Sequence, residues 1–494
     1  MDLLAAVAGC TFDDFLLAPQ RSIVDRRDPA TIDLSASLTT SLRLKRPVVS
    51  ANMDTVTRAE MAIVMAEEGG IGIIDRGFRP GDIEPQVREA LKVKRTQHGI
   101  IPDPLTILPE ASLAEARAVM ARAKVGTLVV VDTDWRLRGM LTERDLQFVD
   151  DLTAAVATRM TPRDRLATFA GQPDEDAAGR EMAAHRVKKL PLVDSSDRLT
   201  GLVTARDLVR LRDMPHATRD GQGRLRVGAA IGARGDYLER AAELVKVGVD
   251  VLVIDIAHGH SVVMERALGE VRKRFPVIDV IAGNVATADG ARFLADRGAS
   301  AIKVGIGPGG GCTTRLTTSF GVPQLQAVVE CHRAIEGRVP LIADGGIKRH
   351  GAIALALMCG GDTVMLGSAF AGTREAPGEV VKKSVLLPES QKPVKVPFKV
   401  LRGMASIEAI KDRLDVEDAS AVDLQAIGAE GMEVSVPLGG SARSVMQEMM
   451  KHLCSSISYG GAESLADLRR RVLADPGRYL IRLTEAARRE SYER

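Results

Sequence analysis

The sequence predicts an α/β protein, a (β/α)8 TIM barrel interrupted by a tandem pair of small repeated modules. Three observations carry this expectation. From residue 225 onward, short β-branched apolar runs alternate with amphipathic helical stretches. Several of those runs end in turns bearing glycine or aspartate. Between two early runs and the later ones lies a segment that repeats at an offset of 62 residues. Continuous apolar runs suit parallel strands covered on both faces, and a barrel places its chemistry at the C-terminal ends of its strands. On pattern alone, a doubly wound open sheet competes with the barrel.

In chain order, 47–56 (PVVSANMDTV) and 70–74 (GIGII) read as the first barrel strands. The interruption follows. Residues 126–146 (GTLVVVDTDWRLRGMLTERDL) and 188–208 (KKLPLVDSSDRLTGLVTARDL) align Asp132 with Asp194, Gly139 with Gly201, Thr142 with Thr204 and Asp145 with Asp207. Each half reads helix, strand, turn, strand, then a helix opened by T-x-R-D, and such a unit must bury its face against its copy. The expected boundaries are a barrel over 1–95 and 214–494, with two modules inserted over 96–213, about 98–153 and 158–213. The barrel resumes with the runs 225–231, 249–256, 277–282, 300–305, 339–343 and 363–367. Segments 236–247 and 288–297 supply helical patterns between them.

Composition narrows the function class. The 494 residues carry 67 Lys+Arg against 65 Asp+Glu, with 45% hydrophobic and 27% charged residues. These are the proportions of an ordinary globular protein. A net charge of +2 provides no basic field for nucleic acid or anionic lipid. No apolar run approaches the roughly 20 residues of a membrane helix. The first 25 residues lack a basic stretch followed by an apolar one, so no signal peptide is expected. Five scattered cysteines, never in C-x-x-C, argue against a disulfide framework or zinc site and for a reducing cytoplasm.

The most informative stretch is 303–315, KVGIGPGGGCTTR. Glycines at 305, 307, 309, 310 and 311 leave a backbone open to a phosphate or an ion. Cys312 ends the loop, where backbone amides and Arg315 would favour its thiolate. A buried, inert cysteine beside a tight turn is the plainer reading of the same residues.

In context the stretch resembles the signature of the IMP dehydrogenase/GMP reductase family, G-I-G-P-G-S-x-C-T-T-R, with Gly310 in place of the serine. Further matches are TFDDFLLAP at 11–19, NMDTVT at 52–57, AGNVAT at 282–287, GVPQ at 321–324, ADGGI at 343–347, MLGS at 365–368 and RGM at 402–404. The inserted repeats resemble a pair of CBS modules. That resemblance implies ATP or GTP in the cleft between them, with Asp145 and Asp207 on ribose hydroxyls; on the alternative reading both aspartates only cap helices.

The family resemblance implies a role for each matching residue. Cys312 would attack C2 of the purine and form a thioimidate, with Thr314 and Glu430 as a proton relay. Backbone carbonyls of Gly307, Gly309 and Cys312 would hold K+. Asp344 would meet the ribose; Gly345, Gly346, Gly367 and Ser368 would line the phosphate. Met53, Gly403, Met404 and Ser406 would lie along the base. Asp255, Ile256, Ala257, Asn284, Gly305, Ile306 and Gly307 would face a nicotinamide cofactor. Family relatives assemble as tetramers or octamers, so a homo-oligomer is expected.

Three positions depart from the family: Gly310, Leu401 where a tyrosine usually precedes R-G-M, and Asp75-Arg76 where a His-Lys pair is usual. The two family activities part at the fate of the thioimidate. A dehydrogenase hydrolyses it with water activated by an Arg-Tyr or similar pair on a flap. A reductase expels ammonia from GMP and takes hydride from NADPH. The flap, about 405–430, holds Arg413 followed by Leu414 and no tyrosine. The expectation is therefore an NADPH-dependent GMP reductase acting on GMP to give IMP. IMP dehydrogenase with an unusual flap is the alternative, favoured by the CBS insertion, DIAHGHS at 255–261 and GNVATADGAR at 283–292. A non-catalytic nucleotide sensor is the third reading.

Overall fold

The structure is a computed structural model that describes residues 2–96, 100–101, 104–123, 125–171, 175–205, 208–209, 214–386, 393–413 and 428–492. The described chain divides into two compact units, Met1–Arg95 with His216–Thr218 and Leu225–Arg494, and Thr96–Pro215 with Arg219–Arg224.

In the first unit, eight parallel strands close into a barrel: β1 Val48–Ser50, β2 Ile71–Ile74, β3 Gly228–Ile231, β4 Val251–Asp255, β5 Asp279–Val285, β6 Ala301–Val304, β7 Leu341–Asp344 and β8 Thr363–Leu366. Val364 of β8 pairs with Val48 of β1, and Ile73 of β2 pairs with Gly228 of β3. That closure excludes the open sheet. Each apolar run of the sequence overlaps one of these strands, with Asp279–Val285 and Leu341–Asp344 running past the ends of theirs.

The barrel explains why the runs are continuous rather than alternating. Val251 and Val253 point into the barrel, where they pack with Val49, Ile71, Ala230 and Ile342. Leu252 and Ile254 of the same strand point outward into the shell under the helices. Both faces are dry, so both sets must be apolar.

The surrounding helices are α1 Ala59–Glu67, α2 Glu84–Arg95, α3 Tyr237–Lys246, α4 Val262–Arg274, α5 Ala288–Asp296, α6 Gln324–Ile335, α7 His350–Met358 and α8 Ala442–Tyr459. Local chemistry starts them. Ser261, Thr287 and Ser441 are N-caps whose side chains accept from Met264 N, Gly290 N and Ser444 N. Helix α3 buries Tyr237, Ala241 and Leu244 on one face. Helix α7 is apolar all round and buried from Ala352 to Met358, as expected of a helix covered by a further layer; that layer includes α8.

After β8 the chain builds a three-stranded antiparallel sheet, β9 Val381–Leu386, β10 Pro393–Arg402 and β11 Glu433–Pro437. The central strand β10 delivers Gly403 and Met404 to the barrel mouth.

The second unit realises the repeat. Helices Leu113–Ala123 and Glu175–Ala184, strands Thr127–Val131 and Lys189–Val193, and strands Leu137–Thr142 and Leu199–Thr204 correspond at the 62-residue offset. Val129, Val131 and Leu137 of the first copy pack with Val193, Leu199 and Leu202 of the second. Strand 161–162 joins the sheet of the first copy, and strand 100–101 joins that of the second. Among the described residues, no helix is long and apolar enough to cross a membrane.

Candidate active site

A cavity of about 700 Å³ opens at the C-terminal ends of the barrel strands. Strand β4 ends in Asp255, β7 in Asp344, and the turns after β6 and β8 contribute Gly305 to Cys312 and Gly367-Ser368. Gly403 and Met404 enter from β10, and Met53 from the loop after β1. The cavity thus gathers Cys312, Thr314, Glu430, Met53, Asp344, Gly345, Gly346, Gly367, Ser368, Gly403 and Met404, with Asp255, Ile256, Ala257, Asn284, Gly305, Ile306, Gly307 and Gly309.

At its centre, the Cys312 sulfur lies 3.1 Å from Thr314 Oγ1. Thr314 Oγ1 donates to Glu430 Oε2 at 2.6 Å. A threonine hydroxyl has one proton, so with that proton committed to Glu430 its oxygen is left to accept from the Cys312 thiol. The result is a directional chain from thiol to hydroxyl to carboxylate. Backbone pairing holds it: Thr313 N donates to Glu430 O at 2.9 Å and Met432 N to Gly311 O at 3.0 Å.

The glycine loop packs too closely for side chains at key points. A Cβ on Gly305, which has φ +151°, would lie 2.1 Å from the Asp344 carbonyl oxygen, and one on Gly403 would lie 2.3 Å from Gly311 O. Gly310, by contrast, faces open space, so its departure from serine is sterically free. Leu401 is buried at the cavity wall.

Lys303 is the residue that sequence reasoning missed. It projects from β6 inside the barrel, is 2% exposed, and lies 2.8 Å from Asp255 Oδ2 and 2.5 Å from Asp344 Oδ2. Burial opposes its charge, but the two carboxylates outweigh burial and hold its ammonium well above the ordinary lysine range. Burial would likewise raise Asp255; Lys303 and then Arg76 overcome that and hold it below the usual carboxylate range. Asn284 Nδ2 donates to Asp344 Oδ2 at 2.9 Å and to Gly305 O at 2.7 Å. Its Oδ1 is buried with no hydrogen-bond partner among the described residues. The available signal was a lone lysine inside an apolar strand run.

Three of the residues singled out in the sequence make local contacts. Ser406 does not line the cavity: it is fully buried and N-caps the helix Ile407–Lys411, accepting from Ala409 N at 3.2 Å. Arg315 turns to backbone, donating to Ile306 O at 3.3 Å and to Val322 O, so it braces the loop. Asp145 Oδ2 accepts from Thr142 N and Oγ1, both at 2.7 Å, closing a capping box. Asp207 and flap residues 414–427, Leu414 among them, lie outside the described residues.

Asp75 now has a physical role. It is fully buried; Gly77 N donates to it at 2.7 Å and Arg58 Nε at 3.3 Å. Burial, only partly offset by Arg58, pushes its carboxyl up to about 6. The folded state therefore binds this proton more tightly than the unfolded chain, and stability falls as pH rises from about 4 to about 6. Asp75→Asn is expected to flatten the pH profile of the melting temperature across that window. An unchanged slope would contradict the assignment.

The comparisons with known proteins agree with the motifs. A profile of the IMP dehydrogenase / GMP reductase domain matches residues 9–493. Inosine-5'-monophosphate dehydrogenase of Aquifex aeolicus is 41% identical over 487 residues, covering 98% of this chain and 95% of the relative. The Streptococcus pyogenes protein of the same name is 42% identical over 467 residues, covering 93% and 91%. Among solved structures, GMP reductase of Trypanosoma brucei in complex with guanosine 5'-monophosphate superposes with a TM-score of 0.83 at 36% identity, over 99% of each chain. The same enzyme in complex with guanosine 5'-triphosphate gives 0.75 at 34%, over 97% of this chain and 98% of that one. With the profile spanning nearly its whole length, this chain belongs to the IMP dehydrogenase/GMP reductase family.

Proposed function

We propose that the protein is a GMP reductase, catalysing GMP + NADPH + 2 H+ → IMP + NH4+ + NADP+. The observation that carries this reading is a flap sequence, about 405–430, that contains no tyrosine; the assembled Cys312–Thr314–Glu430 chain supplies the proton path that either family activity would use. As Cys312 Sγ bonds to C2, its proton passes through Thr314 to Glu430. The same path returns it to the exocyclic amine, so the C2–N bond breaks with ammonia leaving. NADPH, when bound, would supply hydride to C2; Cys312 Sγ would then leave with the C2–S electron pair as thiolate and take up a solvent proton to restore the thiol. Asp344, held by Lys303 and Asn284, is placed to accept from ribose hydroxyls. Backbone amides of Gly346, Gly367 and Ser368, which line the cavity, would take the 5′-phosphate.

The residues present fit the cofactor. The unpaired Asn284 Oδ1 suits a carboxamide N–H, and the buried, unpartnered Nε of Arg76, with Arg234 in the same cavity, suits its anionic groups. The carbonyls of Gly307, Gly309 and Cys312 are hard neutral donors of the kind that hold K+. In the inserted repeats, purine nucleotide binding rests on the CBS resemblance, with Asp145 using the oxygen not engaged in its cap.

One observation favours IMP dehydrogenase as the second reading. Arg413 donates to Met404 O at 2.7 Å, and burial, then repulsion from Arg76, pushes its guanidinium down to about 10. A guanidinium so depressed gives up its proton more readily, so more of the neutral form is available to accept one from water. Product analysis separates the readings: GMP and NADPH are expected to give IMP and one ammonia per cofactor oxidised, and absence of ammonia would contradict the reductase.

Glu430→Gln keeps the hydrogen bond but cannot hold the relayed proton. It is expected to lower kcat by roughly 10²- to 10⁴-fold. With NADPH deuterated at the transferred position, its isotope effect should fall toward unity as deamination becomes limiting. A fully expressed isotope effect in the variant would remove Glu430 from the relay.

A further inference from the structure

We propose that His350, Glu448 and His452 form a binding site for a divalent transition-metal ion, for which Zn2+ is the natural probe. None of the three lines the nucleotide cavity. His350 opens α7, and Glu448 and His452 sit one turn apart on α8, so they share a face. Each offers one ligand atom, and the three atoms lie within 4.8 Å of one another. The imidazole Nδ1 atoms of His350 and His452 stand 2.6 Å apart.

This geometry favours a metal over a plain polar contact. Two ring nitrogens at that distance leave room for one hydrogen between them, and an ion taking its place would be held by both rings. Two nitrogens and one carboxylate oxygen match a borderline-soft ion, whereas Ca2+ and Mg2+ demand oxygen ligands. Tetrahedral Zn–N bonds of about 2.0–2.1 Å require nitrogens about 3.3 Å apart. The rings need only separate by less than about 1 Å, and the exposed His452 side chain has room to turn. Water would fill the remaining position.

The ion would join two helices that otherwise meet through apolar packing. It would fix the first residue of α7, directly after the turn 345–349 that leaves Asp344 and carries Gly345 and Gly346. The site does not depend on which nucleotide reaction the barrel performs.

The test uses the full-length chain with Cys312→Ala, which removes the cavity thiol as a competing ligand. Metal-free protein is dialysed against Zn2+ and its bound metal measured by atomic emission, with Co2+ as a spectroscopic probe of the ligand set. The expected result is about one ion per chain, a Co2+ spectrum without a thiolate charge-transfer band, and a Zn2+-dependent rise in melting temperature. His452→Gln should weaken binding at least about tenfold and abolish the melting shift. Glu448→Gln, at an exposed position, is the second variant and should weaken binding in the same direction. The proposal is overturned if the parent retains no ion, or if both variants retain it undiminished.

Discussion

Replacing Cys312 by alanine is expected to reduce turnover by at least about four orders of magnitude while leaving GMP binding within a few-fold of the parent. In the proposed mechanism the sulfur bonds C2, and no other thiol lines the cavity to replace it: Cys10, Cys331, Cys359 and Cys454 are all buried away from it. Binding should survive because its contacts lie elsewhere. Asp344 keeps Lys303 and Asn284 as partners, the glycine turns after β7 and β8 are untouched, and Thr314 keeps its bond to Glu430. Calorimetric titration with GMP and a cofactor-oxidation assay check the two halves separately. Undiminished turnover would sink the covalent route and support a non-catalytic nucleotide sensor if the parent were equally inert.

The second large effect is expected at Lys303. Lys303→Met fits the same space but leaves Asp255 and Asp344 facing each other inside the barrel mouth without their shared cation. Removing one partner of a buried ionic cluster costs about 3–5 kcal/mol, and the variant should lose that much stability near neutral pH. The sign of its pH dependence follows from Asp255, whose carboxyl lies below the usual range because of Lys303. Its stabilising contribution is present above the unfolded carboxylate range and fades as pH falls through the lowered folded value. Without Lys303 that contribution is gone, so the gap between variant and parent should narrow in acid. Nucleotide affinity should fall as well, since Asp344 is no longer held in place. Thermal melts at about pH 7 and about pH 5, with GMP titration, provide the readout. Equal stability of variant and parent at both would contradict the ion triad.

The barrel was legible because its physics is local and repeated. Eight apolar runs, each buried on both faces, and turns rich in glycine and aspartate leave a strong imprint on a single chain. The 62-residue repeat was legible for the same reason, since two copies of one unit must carry the same strands at the same spacing. Lys303 was not legible in its role. Its neighbours Asp255 and Asp344 come from strands about 40–50 positions away, and only barrel closure brings the three together. The local contacts of Ser406 and Arg315 were not legible because their motif positions are compatible with either a ligand contact or a backbone contact. A serine just before a short helix caps it, and an arginine on a glycine loop finds open carbonyls. Asp75 looked like a reversed charge beside the site; burial and the Gly77 amide show it to be a structural anchor instead.

The departure at the flap bears most directly on function. Tyr237, Tyr459, Tyr479 and Tyr492 are the chain's only tyrosines, and none lies in the flap or before R-G-M. Relatives at 41–42% identity bear the dehydrogenase name, while the Trypanosoma brucei structures that superpose on this chain bear the reductase name. Global similarity averages over the scaffold, and the two reactions differ at the few residues that decide whether water or hydride resolves the adduct. The decisive measurement is therefore absorbance at the reduced-cofactor band with both substrate pairs. Purified protein given GMP and NADPH should show steady loss of that band, and given IMP and NAD+ should show none. Growth of the band from IMP, with no loss from GMP, would contradict the reductase and establish the dehydrogenase.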